Sequence, residues 1–324
     1  MQATTQRRAS RPAVCFLVLL LVNLMWAFQF SGAKLATASL GPTMVTTLPM
    51  VLATLCLLPF LWMERRGGGR KPLSPTSVRD FVLLAVFGSV PAQLGLVWGV
   101  KFSLASNASV LTLTIPVITA VLAAALLGER MTALRWFSFL LAIGGVLIVS
   151  DIDWRSVELF KSRYLLGNLL ILGSCIGSAF YNSFSKRVLE HFGPVEVLTY
   201  SFVATDIILL LLVFLLERTS IPDLMSIGGE AWLALLGIAV FSLAISMVLF
   251  FWVIQRIEVT QASLSIYLLP VFGVLLSSIT LHEKVTPWLL AGGALVVAST
   301  FLVTTYEESR RSRRGTPAEK PEVA

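Results

Sequence analysis

The 324-residue chain is 56% hydrophobic and only 13% charged, with a mean hydropathy of +0.84. A soluble domain is about 45–50% apolar and about 25% charged, so most of this apolar surface needs lipid as its solvent. Three cysteines, each inside an apolar run, and only two histidines argue against a disulfide framework or a metal site, and the net charge of +7 has a simpler cause than nucleic acid.

Arg7, Arg8 and Arg11 precede the first apolar run, 13–33. With "ATA" at 36–38 it resembles a signal peptide, but it exceeds an h-region of about 7–15 residues and contains Asn23 and Gln29, so it is expected to stay as a spanning helix. Further runs follow at 43–63, 80–100, 104–127, 133–150, 165–186, 194–216, 231–254, 259–281 and 287–305. Each approaches the roughly 20 residues that cross a bilayer. The run at 133–150 is short, and the break before 104 rests mainly on Lys101 and Ser103. The expected fold is all-α and membrane-integral, with ten transmembrane helices. The stretches 1–12, 64–79, 151–163, 217–230 and 306–324 are too short to hold a soluble domain, and the charged tail from Glu307 reads as disordered.

With the N-terminus placed in the cytoplasm, 18 lysines and arginines fall on that side and 7 on the other, accounting for all 25. The positive-inside rule then puts both termini in the cytoplasm, and the positive charge becomes a topology signal.

The chain is written twice. "TIPVITAVLAAALLGERMT" at 114–132 returns as "LLPVFGVLLSSITLHEKVT" at 268–286, with Pro116, Glu129, Arg130 and Thr132 matched by Pro270, Glu283, Lys284 and Thr286 at a shift of 154. "AFQFSGAK" at 27–34 and "AFYNSFSK" at 179–186 match at 152, as do Gly41-Pro42 and Gly193-Pro194. "AVF" at 85–87, Trp98 and Ala108-Ser109 return at 239–241, Trp252 and Ala262-Ser263, again at 154. The units are a cytoplasmic segment 1–12, a first repeat 13–150, an extracytoplasmic linker 151–164, a second repeat 165–305 and a cytoplasmic tail 306–324. Five helices per repeat is an odd number, so the halves enter the membrane from opposite sides. Inverted repeats give one chain two near-equivalent conformations, open to either side, with a site between the repeats.

The segments "ASNASVLTLTIPVITAVLAAALLGERMT" and "VTQASLSIYLLPVFGVLLSSITLHEKVT", with "MWAFQFSGAK" in the first helix, resemble the EamA-type branch of the drug/metabolite transporter superfamily, over about residues 13 to 305. The resemblance implies a ten-helix carrier of two inverted five-helix repeats, often an exporter of amino acids or other small metabolites. It places the cavity between helices one to four and six to nine. Small multidrug resistance relatives carry a glutamate in the first helix. The run 13–33 has no acid, so that coupling mechanism does not carry over.

Pro116 and Pro270 each remove a helix hydrogen bond and are read as hinges. Asp206 is the one acid deep in a helix. A mid-membrane carboxylate costs roughly 2.5–3.5 kcal/mol, so it should face the interior or a water-filled cavity. Its neutral form is favoured there, which makes it a candidate for proton coupling or for holding an ammonium group. Its counterpart at a shift of 152 is Thr54.

Asn23, Trp26 and Gln29 recur every three residues along the first helix, opposite Cys175, Ser178 and Tyr181 in the second copy, with Asn182 alongside. Gln93, Trp98, Asn107, Trp252, Gln261 and Tyr267 add amides and aromatics to other helices. Such groups suit zwitterionic or amphipathic solutes, and Trp26, Gln29, Gln93, Asn107, Tyr181, Asn182, Trp252 and Tyr267 are the candidate substrate contacts. They also serve in helix packing and interfacial anchoring. Glu129 and Glu283 close their helices as gates or membrane boundaries, and Lys34 and Lys186 are placed to snorkel. Gly144-Gly145 and Gly292-Gly293 suit close helix packing.

No Walker A motif, spaced acidic pair of the prenyltransferase kind or GxSxG is present, and no cofactor is expected. His191 and His282 fall on opposite sides in this topology, against a lipid-modifying membrane enzyme. The expectation is a secondary carrier of the bacterial-type inner membrane, exporting amino acids or small metabolites. Its partners are a small-molecule substrate and the bilayer, without nucleic acid. A lipid-intermediate flippase or nucleotide-sugar carrier stays open, as does a homodimer.

Overall fold

The computed structural model describes residues 12–36, 40–66, 72–103, 111–149, 162–217, 228–269, 271–273, 275 and 287–307. These residues form helices and no strand. The first half contributes α1 (Pro12–Ala36), α2 (Pro42–Arg66), α3 (Pro75–Leu83), α4 (Val90–Phe102), α5 (Ile115–Leu127) and α6 (Ala133–Val149). The second contributes α7 (Ser162–Val188), α8 (Pro194–Leu216), α9 (Gly229–Gly237), α10 (Ser246–Ile254), α11 (Val259–Ser263) and α12 (Pro287–Phe301).

Five of these helices open on proline, at Pro12, Pro42, Pro75, Pro194 and Pro287. At the first helical position its missing N–H would lack an intrahelical partner anyway. Six spans are long and apolar enough to cross a membrane: Pro12–Gln29, Pro42–Arg66, Pro75–Gly99, Tyr164–Val188, Pro194–Leu216 and Gly229–Ile254. Shorter apolar helices lie at Ile115–Leu127, Ala133–Gly145 and Ala291–Phe301, and another begins at Val259. Leu17, Leu140, Ile207, Phe214 and Leu233 stand exposed along their outer faces. In water such surface would be a liability; in lipid it is the solvated surface.

Two wide turns interrupt the long helices, a π turn at Leu84–Ser89 between α3 and α4, and another at Ile238–Ile245 between α9 and α10. They start 154 residues apart (238 − 84), the spacing of the sequence repeat. Pro91 follows the first and removes a donor there; the second has no proline, so they share a crossing rather than a residue type. At the first, Gly88 lies against Tyr181 and near Gly177 of α7. At the second, Ser242 Oγ donates to the Met25 carbonyl of α1 at 2.6 Å.

α2 and α8 run antiparallel along each other. Glu217, just past the end of α8, accepts from the Thr43 and Met44 backbone N–H groups at the start of α2, at 2.6 and 2.9 Å. Glu64, near the end of α2, accepts from the Glu196 N–H at the start of α8 at 2.9 Å. Each carboxylate satisfies orphan donors at the positive end of its neighbour's dipole. Gly41 and Gly193 make room for this, because a Cβ at either would fall onto the carboxylate. α6 and α12 also pack closely: a Cβ on Gly145 would lie 2.7 Å from the Gly292 carbonyl oxygen.

The Pro116 expectation needs correction. Pro116 lies in the first turn of α5, after a turn at 113–114, rather than in mid-helix. The helix is restarted there, not bent. The carbonyls around the turn find partners: Tyr267 Oη donates to Leu113 O at 3.0 Å, and Leu111 O accepts from Thr114 Oγ1 at 2.6 Å and from the Thr114 N–H at 3.0 Å. Bilayer-depth backbone demands this kind of satisfaction.

Candidate functional site

The polar residues of α1 point along its length into the other helices. Gln29 Nε2 donates to Gln93 Oε1 of α4 at 3.4 Å. Around this pair lies about 30 Å³ of open space, lined also by Thr46, Pro49, Val97 and Ile238. A water needs roughly 10–15 Å³, so the gap is large enough for water and too small for an amino acid. Trp26 stands one turn away, its ring 5.2 Å from that of Phe250. Further along α1, Asn23 is fully buried and its Nδ2 donates to Ser265 Oγ at 2.9 Å, while Oδ1 has no partner among the described residues.

Asp206 of α8 is 7% exposed. Its Oδ2 lies 2.6 Å from Thr54 Oγ1 of α2, and its Oδ1 has no hydrogen-bond partner among the described residues. Thr54 is the residue 152 positions earlier, its own repeat counterpart. The Tyr267–Leu113 bond likewise joins residues 154 apart. Residues related by the repeat therefore meet at two places in the core.

Other candidates are not brought to Gln29 and Gln93. Tyr181 is buried against α8, its Oη 2.9 Å from Ser201 Oγ and its ring 5.9 Å from that of Phe251. Asn182 is buried beside it. Trp252 lies near the end of α10 under the Arg256 guanidinium, 3.7 Å from its ring centroid. Tyr267 packs edge-on to Phe139. Asn107, Pro270 and Glu283, the side chain of Lys34, and the tail beyond Glu307 lie outside the described residues.

Glu129 is more than a boundary marker. It reaches the start of α11, accepting from the Val259 and Thr260 N–H groups at 2.7 and 3.0 Å. Lys186, expected to snorkel, instead turns to protein: its Nζ is 3.3 Å from Glu129 Oε1 and donates to the Ile257 carbonyl at 2.8 Å. Beside them Arg135, fully buried at the start of α6, pairs with Glu258. Sequence reasoning passed over Arg135 and Glu258, and also Glu64 and Glu217. Their signal was local, since charges flanking apolar runs look alike whether they face water or a neighbouring helix end.

Among the described residues no group of His, Cys, Asp and Glu is arranged to hold a metal. The site offers amides, hydroxyls and one carboxyl inside an apolar frame, groups that bind and orient a solute.

The model of the EamA-like transporter family matches residues 13–151 and 165–305. A protein of Streptantibioticus cattleyicolor named "Probable terminal-alkyne amino-acid exporter" is 27% identical, over 95% of this chain and 98% of its own. The uncharacterized transporter YoaV of Bacillus subtilis is 21% identical, over 90% and 96%. A solved crystal structure superposes with a TM-score of 0.75 at 21% identity, covering 93% of this chain and 99% of that one, which shows a shared fold. With lipid-facing helices along the chain and relatives named as transporters across its length, this is a multi-pass membrane transporter and not an enzyme, and the chain belongs to the EamA-like transporter family.

Proposed function

We propose that the protein exports amino acids or other small metabolites by alternating access between two inverted five-helix repeats. The observation that carries this reading is the contact of Asp206 with its own repeat counterpart, Thr54, between antiparallel helices. A residue can touch its counterpart only near the axis relating the two copies, which is where an inverted-repeat carrier keeps its site. The Gln29–Gln93 pair supplies amides to a zwitterionic solute, and the small gap around it corresponds to a closed state. Trp26, near these amides, and Asn107 by its place in the sequence complete the proposed set; Tyr181 and Tyr267 support helix crossings.

Asp206 is the proposed coupling group. Thr54 Oγ1 lies within hydrogen-bond distance of both Asp206 Oδ2, at 2.6 Å, and the Met50 carbonyl, at 3.1 Å. One hydroxyl proton serves only one of them. A proton on Asp206 lets both bonds form, and its loss leaves a carboxylate that recruits water or a substrate ammonium. Glu129 acts as the gate at one end. The relative named as an amino-acid exporter favours that substrate class.

The test compares metabolites in medium and cells between a culture overproducing this protein and one overproducing an unrelated membrane protein. Amino acids rising outside and falling inside support the proposal. A rise in lipid intermediates or nucleotide sugars replaces the substrate class, and no change in any class overturns export.

A further inference from the structure

We infer that the Arg135–Glu258 pair biases the alternating-access equilibrium, holding the end of the molecule that contains it closed at rest; this rests on the proposed two-repeat mechanism. The pair joins the repeats: Arg135 belongs to the first half and Glu258 to the second. Arg135 is 0% exposed and is held by two further hydrogen bonds. Its Nη1 donates to the Arg130 carbonyl at 2.9 Å, and its backbone N–H donates to Thr132 Oγ1 at 3.2 Å. Glu258 is anchored by the N-cap of α11, its N–H donating to Gln261 Oε1 at 3.0 Å. Lys186 and Glu129 make a second ion pair across the same boundary, and Arg65 and Glu196 a third, at 3.3 Å, between α2 and α8.

The sequence repeat makes this end different from the other. Counting by 154, Leu104 stands where Glu258 stands and Leu289 where Arg135 stands; counting by 152, Met44 stands where Glu196 stands. Only the Lys186–Glu129 pair has a charged counterpart in the other copy, Lys34 and Glu283. By repeat position, the Arg135–Glu258 and Arg65–Glu196 pairs therefore have no charged pair as counterpart in the other copy. A fully buried guanidinium stays closed in only with its carboxylate; without it, rehydration by opening is the cheaper state. Symmetric repeats would give two conformations of similar free energy, and this pair breaks the tie.

The experiment uses the full chain in lipid nanodiscs with Cys15, Cys56 and Cys175 replaced by alanine. Spin labels on the exposed positions Arg130→Cys and Glu190→Cys report the pair-bearing end, and labels on Lys101→Cys and Glu230→Cys report the opposite end. Glu258→Gln is expected to raise the long-distance population at the first pair at least about tenfold and to shorten the second. The exchanged double variant, Arg135→Glu with Glu258→Arg, is expected to restore the closed distribution, which guards against a misfolded single variant. If Glu129→Gln opens the end while Glu258→Gln leaves it closed, the bias assigned to Arg135 and Glu258 is wrong and alternating access stands. If no variant moves either distance, both ideas fail together.

Discussion

At the scale of single residues, an amide or carboxyl in an apolar run draws attention because lipid cannot satisfy it. That signal identified Gln29 and Gln93, which the fold places in contact, and Asp206, which it places against Thr54. The same signal said nothing of direction. Tyr181 and Tyr267 carry hydroxyls too, but theirs satisfy Ser201 and a carbonyl left by the turn before Pro116. Composition reveals a group that needs a partner; only packing decides whether that partner is a solute or a helix. Two expectations follow. Asp206→Asn should keep the Thr54 contact yet flatten the pH dependence of transport, read as substrate efflux from proteoliposomes across imposed pH gradients. Normal transport with unchanged pH dependence would remove Asp206 from coupling. Gln93→Ala should remove one amide and raise KM about tenfold, the effect of a hydrogen bond worth about 1.5 kcal/mol, with little change in protein abundance.

At the scale of elements, many helix runs were legible because apolar length and proline punctuation are local properties, but the run 104–127 hid the turn before Pro116, whose helix starts at Ile115. The caps were not, because they belong to pairs of helices. Glu64 and Glu217 end their own helices in sequence but finish their partner's first turn in space. An acid at a helix C-terminus is unfavourable for that helix's dipole, and the antiparallel neighbour turns the placement into a favourable one. Gly193 and Gly41 belong to the same device, since a Cβ at either site would push the glutamate carboxylate out of its place. Gly193→Ala should therefore displace Glu64 and cost about 1–2 kcal/mol, the range of a lost N-cap. The check is a thermal or denaturant midpoint in detergent. Glu64→Gln in the same background should add little, because the cap is already broken. An additive loss would mean that glycine and glutamate act separately.

At the scale of the whole molecule, the two halves of the sequence are more alike than their roles. Repeat-related positions set the π turns at Leu84–Ser89 and Ile238–Ile245 and bring Thr54 to Asp206, yet among the described residues ion pairs join the halves where Arg65, Arg135 and Lys186 lie. These same bases belong to the side that the positive-inside count assigns to the cytoplasm. On the proposed mechanism, topology and gating draw on one set of residues: a base fixed on that side during insertion later finds an acid from the other repeat. The arrangement makes a directional prediction. Single cysteines at Arg130 and Glu190 should react with a membrane-impermeant maleimide only in inside-out vesicles, and those at Lys101 and Glu230 only in right-side-out ones. Labelling from the opposite sides would invert the protein in the membrane. The closed end would then face outward, and the resting carrier would wait open to the cytoplasm, where an exporter loads its substrate. Labelling as predicted instead has the resting carrier closed to the cytoplasm. Loading then requires the Arg135–Glu258 pair to break first, so transport should quicken at low substrate concentration in Glu258→Gln.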